Sequence, residues 1–60
     1  MLKRYVAKLK TTGEEGFICH MFLNHGYLHS AQIEFEKDGV IRREEYRWFM
    51  FDIIIKEEEL

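Results

Sequence analysis

The only cysteine and all three histidines of this 60-residue chain lie in one stretch, Cys19-His20-Met21-Phe22-Leu23-Asn24-His25-Gly26-Tyr27-Leu28-His29. Thiolate and imidazole are the side chains that hold zinc or copper. His25 and His29 have the H-x3-H spacing of structural zinc sites, and Cys19 precedes His25 by six residues. Cys19 and His20 are adjacent in an expected strand, so they point to opposite faces and only one can join such a site. A zinc-stabilised domain would therefore draw on Cys19, His25 and His29, with a further ligand from Asp52, Glu34 or a second copy. The simpler reading has a buried cysteine, three histidines near a loop and no cofactor.

The same cysteine beside His20 or His25 is a poor nucleophile–base pair. Neither a glycine-rich nucleophile turn nor a recognisable oxyanion donor accompanies it. Its neighbours Phe17, Ile18, Met21 and Phe22 suggest burial, which makes a thiol inert. No Walker loop, dinucleotide fingerprint, EF-hand pattern or paired-carboxylate arrangement occurs. The chain reads as a non-enzyme.

Two further groups could bind a partner. Arg42, Arg43, Tyr46 and Arg47, next to Trp48, combine cationic and stacking side chains as single-stranded nucleic-acid binders do. Lys3, Arg4, Tyr5, Lys8 and Lys10 could extend that surface. Glu44 and Glu45 dilute its field, however, and cross-strand salt bridges would account for the same residues. The second group is Trp48-Phe49-Met50-Phe51-Asp52, where a carboxylate sits in an apolar run. Asp52 must find a partner or stay protonated. An ion pair with Arg47, Arg43 or a lysine of the first strand is expected. Aromatic and Met side chains dominate protein interfaces, so these five residues are the expected partner-binding anchors.

The elements that position these groups read as strands. The chain has no proline, and Gly13, Gly16, Gly26 and Gly39 divide it into strand-sized pieces. Residues 2–10 alternate loosely and carry lysines, as a half-exposed or edge strand does. Residues 17–23 are nearly all apolar and read as a buried strand, broken by Asn24-His25-Gly26. Residues 31–36 alternate strictly between apolar and polar. Lys37-Asp38-Gly39 signals a hairpin. A three-residue loop with Gly39 left-handed would pair Phe35 with Ile41 and Glu34 with Arg42, both favourable. Residues 40–46 read as a strand that bends near Arg47 into another at 48–56, rich in β-branched and aromatic residues. The expected fold is mainly β, a single domain over 1–60 with a small antiparallel sheet or half-open barrel of four or five strands. The alternative is α+β with a C-terminal helix at about 42–56.

Size and charge narrow the function. Hydrophobic residues make up 47 % and aromatics 15 %, more than so small a sphere can bury, and a single cysteine allows no internal disulfide. Some apolar surface should meet another protein or a second copy, so a homodimer is expected. The net charge of −2 is not that of a duplex nucleic-acid binder. Lysines interrupt the apolar residues after Met1, leaving no signal-peptide core, and no apolar run nears the roughly 20 residues of a membrane helix. One free thiol suits the cytoplasm. A small regulatory or inhibitory protein-binding module is the expected function, acting through the exposed aromatic strand.

Overall fold

The computed structural model describes residues 2–58, with side chains from residue 4 to residue 57. Five strands follow one another: β1 (Leu2–Leu9), β2 (Glu15–Asn24), β3 (Tyr27–Lys37), β4 (Val40–Arg47) and β5 (Phe51–Glu58). One turn of 3-10 helix, Trp48–Met50, separates the last two. The strands make one antiparallel sheet in the order β4-β3-β2-β1-β5, a four-stranded meander with β5 added beyond β1. The expected β architecture is what the chain forms. The C-terminal helix at 42–56 is not formed: that span is β4, the 3-10 turn and β5, because Arg47 and Phe51 on either side of the turn are both extended. Among the described residues no helix is long and apolar enough to cross a membrane.

The sheet has to curl. β4 and β5 are its two edges, about 19 Å apart in a flat five-stranded sheet. Only Trp48–Met50 joins them, and the four chain steps from Arg47 to Phe51 reach about 14 Å at most. The concave face then closes on itself and forms the core. Ala7 and Leu9 of β1, Ala31, Ile33 and Phe35 of β3, and Phe51 of β5 are buried there, with Ile18, Leu28 and Tyr46 packed against them.

The β2–β3 and β3–β4 hairpins turn through two residues with left-handed backbones. Asn24 pairs with Tyr27 across His25 (φ 51°) and Gly26 (φ 81°), and Lys37 pairs with Val40 across Asp38 (φ 53°) and Gly39 (φ 77°). Two successive positive φ angles are the type I′ turn, whose twist matches that of the strands it joins. This corrects the expected register of the second hairpin. Phe35 pairs with Arg42, not Ile41, and Glu34 with Arg43, not Arg42. The Phe35–Arg42 pair, an apparent mismatch, is favourable because the guanidinium lies 4.9 Å from the Phe35 ring centre.

β2 is a strand but not a buried one. Phe17, Met21, Phe22 and Leu23 are all exposed. β1 pairs edge to edge with β2 only from Glu15 to Phe17, and beyond that point the β2–β3 hairpin extends past the curled part of the sheet. An apolar run is buried only where another layer lies over it.

Candidate partner-binding surface

The 3-10 turn places Trp48 and Phe49 side by side, where a continuous strand would have sent them to opposite faces. Their rings meet edge to face, 5.6 Å apart at 88°, and the Arg47 guanidinium stands 5.7 Å from the Phe49 ring centre. Trp48 is 55 % exposed and Phe49 51 %. The turn is anchored from below, since the Lys10 amide donates to the Met50 carbonyl at 3.0 Å and Phe51 plugs the core. Of the five expected anchors, Trp48 and Phe49 lie at the surface and Met50 is half-buried. Phe51 is a core residue, 3 % exposed, and is not available to a partner. Asp52 projects from β5 into solvent, where Lys10 pairs with it at 3.8 Å. The expected ion pair thus comes from the lysine that immediately follows β1.

The arginine stretch is divided by strand alternation. Arg42, Glu44 and Tyr46 share one face of β4, and Arg43, Glu45 and Arg47 the other. Arg42 donates twice to the Glu14 carboxylate, at 2.9 and 2.8 Å, and lies 3.4 Å from Glu44. Its hydrogen bonds to Glu14 raise its pKa further. Arg43 donates to Glu34 at 3.0 Å. Tyr46 donates to Glu44 at 3.2 Å and meets the Phe35 ring edge on. Burial and the adjacent Glu44 carboxylate push its phenol above the ordinary tyrosine range. The four residues do not form one basic stacking face: two arginines are held by carboxylates and the tyrosine is half-buried.

The cysteine–histidine stretch is spread along the β2–β3 hairpin. From Ile18↔Ile33 to His20↔Gln32 the register slips by one, leaving Cys19 as the extra residue of a bulge in β2. From Phe22↔Ser30 to Leu23↔Leu28 it slips back, leaving His29 as the extra residue in β3. Cys19 is exposed, contrary to the expected burial, and His25 occupies the turn. His29 Nδ1 lies 3.3 Å from the buried Ser30 hydroxyl, and the His20 ring packs edge-on against Phe22. Among the described residues no three His, Cys, Asp or Glu side chains converge as metal ligands.

The convex face holds a feature that sequence reasoning missed. Val6 lies among the basic residues of β1 yet is only 4 % exposed, because Phe17 and Ile54 flank it across the sheet. Arg4 lies 5.4 Å from the Phe17 ring centre. A shallow cavity of about 180 Å³ opens between Arg4, Val6, Glu15, Gly16, Phe17 and Lys56. Lys56 closes one side by pairing with Glu15 at 2.9 Å, a hydrogen bond that holds the Glu15 carboxyl below its ordinary pKa. The available signal was a lone valine in the lysine register of β1.

In comparisons with known proteins, no family model, no curated protein and no solved structure matched this chain.

Proposed function

We propose that this protein is a non-enzymatic protein-binding module of regulatory or inhibitory type, and that the Arg47-Trp48-Phe49 corner is its contact surface. The observation that carries the reading is the exposure of two large aromatic rings on a turn tied to the core through Phe51 and the Lys10–Met50 hydrogen bond. Trp, Tyr and Arg are the residue types that concentrate binding energy, and rigid anchors lose little entropy on docking. Twelve large hydrophobic side chains are exposed among the described residues, which favours a partner over an isolated existence. The exposed free thiol of Cys19 fits a reducing compartment, and so a cytoplasmic site of action.

The test is affinity capture from the native host with wild-type protein and with Trp48→Ala, followed by measurement of the affinity for the captured protein. Trp48→Ala should weaken binding by about thirtyfold or more, as loss of an interface anchor does. Val40→Ser, at the turn opposite the 3-10 corner, should bind as the wild type does. Equal binding by all three proteins would remove the corner from the interface.

A further inference from the structure

β5 ends the sheet, and among the described residues it pairs only with β1. Its backbone groups alternate between β1 and the open side. The Lys10 amide donates to Met50, which continues the register Leu9↔Phe51, while the Leu9 amide donates away from β5 to Glu14. In an antiparallel ladder hydrogen-bonded pairs alternate with non-bonded ones. Asp52, Ile54 and Lys56 therefore bond to β1. Phe51, Ile53, Ile55 and Glu57 turn their N–H and C=O groups outward.

We infer that β5 pairs with β5 of a second copy, antiparallel across a two-fold axis at Ile54, joining the two sheets into one of ten strands. Only residues with outward groups can bond across this edge, so odd positions must pair with odd and even with even. A two-fold axis must then pass through a residue. With the axis at Ile54, Ile53 pairs with Ile55 of the second copy, and Asp52 pairs with its Lys56. The charge pair is attractive and occurs twice by symmetry. Moving the axis to Ile53 sets Asp52 opposite isoleucine. Moving it to Ile55 sets Ile54 opposite Lys56 and loses the Asp52–Lys56 pair, whereas Glu57 faces an apolar residue in either case, Phe51 with the axis at Ile54 and Ile53 with the axis at Ile55. Electrostatics and side-chain matching select one register.

The groups concerned have room for the new bonds. The Asp52 side chain is 67 % exposed and its Lys10 contact is long at 3.8 Å. Lys56 is bridged to Glu15, and an ammonium carries three donors. On the concave side Ile53 and Ile55 are exposed beside Tyr5, which lies opposite Ile55. A second copy would cover these side chains. β4, the other edge, does not suit self-pairing. Any axis through Arg42, Arg43, Glu44 or Glu45 sets that charge against its own copy. The β5 interface is separate from the Trp48–Phe49 corner and does not rest on that corner binding a partner.

Sedimentation of the wild type across concentrations should give a species of twice the 7.3 kDa chain mass. D52K and K56E should each raise the dimer dissociation constant by at least about tenfold, since each sets like charges opposite one another at two sites. Mixing the two variants should restore a heterodimer. In it the two substituted side chains, of opposite charge, face each other at one site, and the native Asp52 and Lys56 face each other at the other. In the wild type, amide exchange at Ile53 and Ile55 should slow as concentration rises, a readout that needs no variant. A monomer throughout the soluble range overturns the proposal. So does a D52K protein that dimerises as the wild type does, a mixture of two folded variants that stays monomeric, or Ile53 and Ile55 exchange rates independent of concentration.

Discussion

Of the four glycines, Gly16 has the least room for a side chain. A methyl group there would lie 2.7 Å from Ile33 Cγ2 and from the Glu34 carbonyl oxygen, and 2.8 Å from Phe35 Cδ1. Backbone and core side chains cannot all retreat, so Gly16→Ala should destabilise the fold by roughly 1–3 kcal/mol, read from the denaturant midpoint. A fall below about 0.5 kcal/mol, the size of an ordinary surface change, would contradict the packing described. Tyr46 sets a pH limit. Burial and Glu44 raise its phenol pKa, so the folded state holds this proton more tightly than the unfolded chain. The resulting stability is complete below about pH 10, where an unfolded tyrosine titrates, and is lost as pH rises through the higher folded value. Glu44→Gln should lower the Tyr46 pKa in an ultraviolet titration but leave it above the ordinary range, because burial remains. At this scale the sequence is least informative. Nothing in the letters Cys19 and His29 marks them as bulge residues, since a bulge is a property of two strands compared. The exposure of Cys19 likewise goes with its place in β2 beyond the last residue paired with β1.

The elements are more legible, because each strand carries its own signal. Alternation marks β3, and the Asn-His-Gly and Asp-Gly segments mark both hairpin turns. The register of the second hairpin is not legible, because pairing Phe35 with arginine looks unfavourable until the guanidinium is seen over the ring. The bend near Arg47 is readable, but not that it is a 3-10 turn that sets Trp48 beside Phe49. Trp-Phe-Met has strand-like composition, and only the need to cross from one sheet edge to the other makes it turn. That crossing also explains why Phe51, expected as a surface anchor, is in the core. The first hairpin carries a testable cost. His25 holds a left-handed backbone at φ 51°, a conformation that Asn tolerates better. His25→Asn should therefore raise stability by a few tenths of a kcal/mol to about 1 kcal/mol, measured by thermal unfolding with and without a zinc chelator. A loss of stability seen only without the chelator would instead assign His25 to a metal site.

Across the whole molecule, apolar surface exceeds what one curled sheet can hide, as the composition suggests. Trp48 and Phe49 stand at one corner, and Ile53 and Ile55 line the β5 edge. The aromatic corner and the strand edge fit different forms of association, and the exposed β2–β3 hairpin, with Met21, Phe22, Leu23 and Tyr27, adds further uncovered apolar surface. The strand order bears on one more property, the route by which the chain folds. β2, β3 and β4 meet through two-residue turns, whereas even the closest β1–β5 pair, Leu9 with Phe51, is separated by about forty residues. Closing so long a loop costs entropy before any contact repays it. The β2–β3 and β3–β4 hairpins should therefore be formed in the folding transition state, and β5 should dock afterwards. In stopped-flow measurements Ile33→Val should slow folding, while Ile54→Val should mainly speed unfolding. An Ile54→Val protein that folds slowly and unfolds at the normal rate would place β1–β5 closure first.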